Sequence, residues 1–161
     1  MKNILHGQEH LSRVPQLMEK LWYQQKNELH YMIHFFFSDG NCEIVMPAEM
    51  GKDQIAEYIK NYCIERKPSA IVQATEAWKT KLPANTDLNR YENDFGYHNF
   101  IKSQIVRQEM LLVMIETKLG LITYEWEIIR NGDDATLAPM VKHEDNIQKG
   151  RLAHFLLSLD E

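Results

Sequence analysis

The sequence predicts an α+β fold, a mostly antiparallel sheet of five or six strands with two helices packed on one face. Residues 107–130 read as two consecutive strands joined at Lys118, Leu119 and Gly120, a connection short enough only for antiparallel neighbours. Apolar residues at helical spacing fill two stretches, residues 12–27 and 51–67, each long enough to lie across a sheet. In the first of the paired strands, Met110 to Ile115 are apolar on both alternating faces, the pattern of a strand covered on both sides. In the second, Ile122, Tyr124, Trp126 and Ile128 share one face. Thr123, Glu125 and Glu127 share the other, which predicts one packed face and one wetter face.

The remaining elements follow in chain order. Val14, Leu17, Met18, Leu21 and Trp22 predict a helix over residues 12–27, capped by Ser12 and with Pro15 in its first turn, where a missing N–H is tolerated. Residues 30–37 alternate His30, Met32, His34 and Phe36 against Tyr31, Ile33, Phe35 and Phe37. The turn Ser38-Asp39-Gly40-Asn41 then leads into a short strand through Met46, giving a hairpin that Pro47 ends. A second helix starts at Gly51 to Asp53, carries Ile55, Tyr58, Ile59, Tyr62 and Cys63 on one side, and stops before Pro68. Residues 69–79 form a third strand, with Ala70, Val72, Ala74 and Trp78 on one face and Glu76 interrupting that apolar row.

Residues 83–104 have no periodicity and form a long excursion, of a length that in compact domains marks a functional or mobile connection. Asn131-Gly132-Asp133-Asp134 is a turn, and residues 136–141 return as one edge strand that accommodates Pro139. Leu152, Phe155, Leu156 and Leu159 mark a short final helix.

Length and composition bound the function. The 161 residues suit a single domain, 1–161, able to bury a substantial core. A net charge of -5 and a pI near 5.8 exclude a broad nucleic-acid footprint, which gathers Lys and Arg to displace phosphate counterions. The basic residues are scattered and none forms a polybasic membrane tether, so neither nucleic acid nor membrane is an expected partner. No signal-like apolar stretch opens the chain and no run approaches the ~20 apolar residues of a membrane span, so the expected location is cytoplasmic. Cys42 and Cys63 lack CxxC spacing and read as buried, reduced thiols.

Candidate chemistry is sparse. His30 and His34 share a strand face but stand about 13 Å apart at 3.3 Å per residue, too far to ligate one ion. His6 and His10 have helical spacing but no Glu placed as in HExxH, and no metal is expected. Glu76 is the most interesting carboxylate, because it points to the side of Ala74 and Trp78, where it could serve as a general acid or base with His30 or His34. Its structural alternatives are a position where the strand leaves the core, or an ion pair with Arg107 or Lys118. Nucleophile elbows, Walker loops and dinucleotide glycine motifs are absent, so no cofactor is implied. Tyr91, Phe95, Tyr97 and Phe100 in the excursion either cover the sheet or present aromatic anchors to a partner.

Thr75-Glu76-Ala77-Trp78 ends a strand, and after a loop Ser103, Arg107 and Glu109 lead into the strand from Met110 to Glu116. This arrangement resembles a pattern in small bacterial α+β proteins of unknown activity, whose strand ends in Glu-Ala-Trp. The resemblance covers about half the chain and implies a similar α+β domain; the longer excursion here departs from it. Two classes of function follow. The first is a non-catalytic binding or assembly module, with a homo-oligomer as the assembly to test. The second is a small enzyme with a carboxylate and histidine site around Glu76.

Overall fold

The computed structural model describes residues 2–26, 29–47, 50–80, 107–144 and 155–156, with all of their side chains except those of residues 2–10, Thr80 and Arg107. In chain order the elements are α1 (Lys2–Gln24), β1 (Met32–Phe36), β2 (Cys42–Val45), α2 (Lys52–Arg66), β3 (Ala70–Thr80), β4 (Arg107–Thr117), β5 (Gly120–Asn131), β6 (Asp134–Leu137) and β7 (Val141–Glu144). The strands make one sheet in the order β2-β1-β3-β4-β5-β6, with β7 also paired to β5. Every pairing is antiparallel. The fold is therefore α+β as expected, with seven strands where the pattern gave five or six.

The paired strands at the centre are present and longer than their apolar runs. Leu111 stands opposite Trp126, and Val113 opposite Tyr124. β3 runs beside the whole of β4, from Ala70 opposite Thr117 to Thr80 opposite Arg107. The excursion between them, with Tyr91, Phe95, Tyr97 and Phe100, lies outside the described residues. At the far edge of β5 the single strand expected at residues 136–141 is two strands, β6 and β7, which pair with successive halves of β5. Pro139 falls in their connection, where its missing N–H breaks no ladder bond. Gly132, with φ 65°, supplies the backbone conformation that closes the tight β5–β6 turn.

The register sorts the side chains into two faces. On one, Met32, Val72, Ala74, Leu111, Val113, Ile115, Trp126 and Ile128 pack against Val14, Met18 and Trp22 of α1. On the other, Ile33, Phe35 and Ile71 pack against Ile55, Ile59 and Cys63 of α2. The helices therefore cover opposite faces, and this corrects the expectation that both lie on one. The reason is in the strands: β1, β3 and β4 carry apolar residues on both alternating sides, so each side has to be shielded from water. We call these the α1 face and the α2 face.

Helix α1 also departs from expectation. It begins at Lys2, ten residues before Ser12, and Pro15 sits in its interior. Proline leaves the Leu11 carbonyl without its helical donor, a cost set against the burial of Val14, Met18 and Trp22, all 3% exposed or less. Helix α2 matches its expected span. Gln54 accepts from the Gly51 N–H at its start, and Lys67 closes it in a left-handed conformation, φ 51°, just before Pro68. Tyr62 of α2 stacks on Phe35 at 3.8 Å between ring centroids and donates to Glu43 of β2, which also pairs with Arg66. The helix is thus latched to the hairpin as well as to the sheet.

Candidate functional site

The carboxylate singled out by sequence is a structural acceptor. Glu76 lies on the α1 face, where one of its oxygens accepts from the Trp22 indole at 2.8 Å and from the Leu29 backbone N–H at 3.1 Å. It ties the end of α1, and the chain leaving it, to β3. The expectation of an ion pair with Arg107 falls on a side chain outside the described ones. His34 stands opposite Val72, four residues along β3 from Glu76, or about 13 Å at 3.3 Å per residue. It is buried beside Met32 Sδ at 3.3 Å, and burial holds its pKa below the ordinary value. His30 is exposed and precedes β1. The structure does not bring Glu76 and His34 together. Among the described residues no cluster of His, Cys, Asp and Glu is arranged to hold a metal ion. Cys63 is buried, but Cys42 is exposed, contrary to expectation, because the outer face of edge strand β2 has no cover there.

A different carboxylate and histidine do meet, on the α2 face beyond the reach of α2. There Ala77 and Lys79 of β3, Met110, Leu112 and Met114 of β4, Thr123 and Glu125 of β5 and His143 of β7 line a cavity of about 380 Å³, with Trp78 at its rim. The register explains the gathering. Met110 is opposite Ala77, Glu125 is opposite Leu112, and His143 is opposite Thr123, so alternation turns all of them to one side. The floor is apolar, built from neighbouring central strands.

Glu125 is the hub of its polar wall. One carboxylate oxygen, Oε1, takes both Lys79 Nζ at 3.0 Å and His143 Nε2 at 2.9 Å. Burial by itself would raise the Glu125 pKa. The hydrogen bonds from His143 and Lys79 and their charges outweigh that, and the carboxyl is held below its usual range. Glu125 and Thr123 are both buried, at 9% and 6% exposed, so the face expected to be wetter is as enclosed as its opposite. Among the described residues Thr123 Oγ1 has no hydrogen-bond partner, and it is shut off from water. Trp126 Nε1 is likewise buried and without a partner among the described residues, but it lies on the α1 face inside the core.

A second cavity, of about 570 Å³, opens at the end of α2 between Ser38, Cys63, Ile64, Lys67, Pro68, Ser69 and Lys118. Its thiol is unreactive, since burial first and the nearby Glu116 charge second push the Cys63 pKa up to about 12. Glu116 itself is 2% exposed and accepts from the backbone N–H groups of Phe155 at 3.0 Å and Leu156 at 2.7 Å. It fastens this turn of the chain across the α2 face. The rest of the short helix expected around Leu152 and Leu159 lies outside the described residues.

Lys79, Thr123, Glu125 and His143 were not among the residues that sequence reasoning selected. Alternation does place Thr123 and Glu125 on one face, but only the pairing of β5 with β7 and of β3 with β4 brings His143 and Lys79 to them. No helix among the described residues is long and apolar enough to cross a membrane. No protein family, no curated protein and no solved structure matches the chain.

Proposed function

We propose that this protein is a non-catalytic binding module of the cytosol, and that the cavity over Met110, Leu112 and Met114 receives a small molecule. The observation that carries the reading is the composition of that cavity: an apolar floor from adjacent strands meeting one convergent polar cluster, Lys79, Glu125 and His143. That is the make-up of a ligand pocket. Its carboxylate is held ionised by two donors, which makes it a poor proton acceptor at neutral pH and favours binding over acid-base chemistry. The enzyme reading around Glu76 draws no comparable support, since that carboxylate already serves Trp22 and Leu29.

The test is a titration of methyl-labelled protein with a library of small aromatic and aliphatic compounds, read at the methionine methyl signals. Binding in this cavity moves Met110 and Met114 and leaves Met18 and Met32, on the α1 face, in place. Shifts confined to Met18 and Met32, or none, would overturn the reading. So would a concentration-dependent dimer in sedimentation whose formation alone moves Met110 and Met114, because the same surface would then serve a second copy of the chain.

A further inference from the structure

We infer that the ligand of this cavity is a small neutral aromatic compound carrying one hydroxyl or primary amide head, set against Thr123, Lys79 and Glu125 with its ring on the methionine floor. The inference rests on the proposed binding role and names the chemistry the site selects.

The head follows from what the polar wall still offers. Lys79 Nζ has three N–H groups, of which one goes to Glu125, so it keeps donors for a ligand. Glu125 uses Oε1 for both of its partners, which leaves Oε2 as an acceptor among the described residues. Thr123 adds a hydroxyl that can donate and accept, and that hydroxyl has no partner among the described residues. One donor, one acceptor and one group that is both match a head that itself donates and accepts.

The charge balance makes the same selection. Lys79 and Glu125 already neutralise each other at 3.0 Å. A ligand carboxylate would share Lys79 with Glu125 and set a second anion beside a carboxylate only 9% exposed. A ligand ammonium would meet Lys79 beside its intended partner. A hydroxyl or amide disturbs neither charge.

The body follows from the floor. Met110 and Met114 offer polarisable thioethers, which pack well against aromatic ring edges. An orphaned buried hydroxyl is costly to keep, and a ligand that fills the cavity supplies its missing partner.

Calorimetric titration of the full chain with four naphthalene derivatives tests this. Naphthylmethanol should bind at least about tenfold more tightly than naphthoate, naphthylmethylammonium or methylnaphthalene, a difference of about 1.4 kcal/mol. If the acid or the ammonium binds as well as the alcohol, the head assignment falls while the cavity reading stands. If none of the four binds, headless methylnaphthalene included, the proposed function falls with it. The variant Thr123→Val then separates a ligand contact from a merely structural residue. It should raise the melting temperature of the unliganded protein, since it removes an unpaired polar group, and weaken naphthylmethanol about tenfold. Unchanged affinity in Thr123→Val would overturn the inference.

Discussion

Two carboxylates on opposite faces of the sheet define the residue scale. Glu76 accepts from an indole and a backbone amide, and Glu125 from a lysine and a histidine. Replacing Glu76 by Gln keeps the shape but exchanges a charged acceptor for a neutral one, and should lower stability by about 1 kcal/mol in urea unfolding, with a shifted Trp22 emission. Unaltered stability would show that those bonds contribute nothing net. Glu125 has its pKa depressed below its usual value near 4.5, so the folded state binds its proton less readily than the unfolded chain does. Its stabilising contribution is whole above that usual value and is lost as pH falls through the lower, folded one. Acid titration of unfolding stability should therefore fall less steeply in Glu125→Gln than in the parent below about pH 4.5. Parallel curves for the two proteins would refute the assignment.

Helix α1 sets the terms at the scale of elements. Its interior Pro15 is a local defect carried by good burial of Val14, Met18 and Trp22. Pro15→Ala restores a donor to the Leu11 carbonyl and should raise stability by about 1 kcal/mol or more in denaturant melts. A loss of stability would mean that the packing of the proline ring outweighs the mended helix. The same helix shows where sequence stops being informative. The period of Val14, Met18 and Trp22 and the alternation in β3, β4 and β5 were legible because each is a local consequence of 3.6-fold or twofold geometry. The helix start was not, because an early proline normally marks a first turn. The division of residues 136–141 into β6 and β7 was hidden too, since it depends on the length that β5 offers at its far edge. The Lys79–Glu125–His143 cluster was hidden for the same kind of reason: its members lie 46 and 18 residues apart, and only strand pairing joins them.

At the scale of the whole molecule, the sheet is a partition between two cores. The α1 core and the α2 core share no residue, and each is closed by a different helix. Met18→Ala and Ile59→Ala, both at fully buried positions, should each cost about 2–5 kcal/mol. Their effects should add to within about 0.5 kcal/mol, because the partition keeps the two sites from sharing partners. Strong non-additivity in the double variant would show that strain crosses the sheet. The expectation of one covered face failed at this scale even though its correction lay in plain view: Met110 to Ile115 are apolar on both sides, and a strand of that kind needs a roof and a floor.

The grip of Glu116 on the amides of Phe155 and Leu156 bears on how the protein is made. A ribosome delivers this acid nearly forty residues ahead of the groups that neutralise its burial. Until they emerge, the α2 side of the nascent sheet must keep a hydrated anion on an otherwise oily surface. Only once residues 155 and 156 have emerged can that side seal.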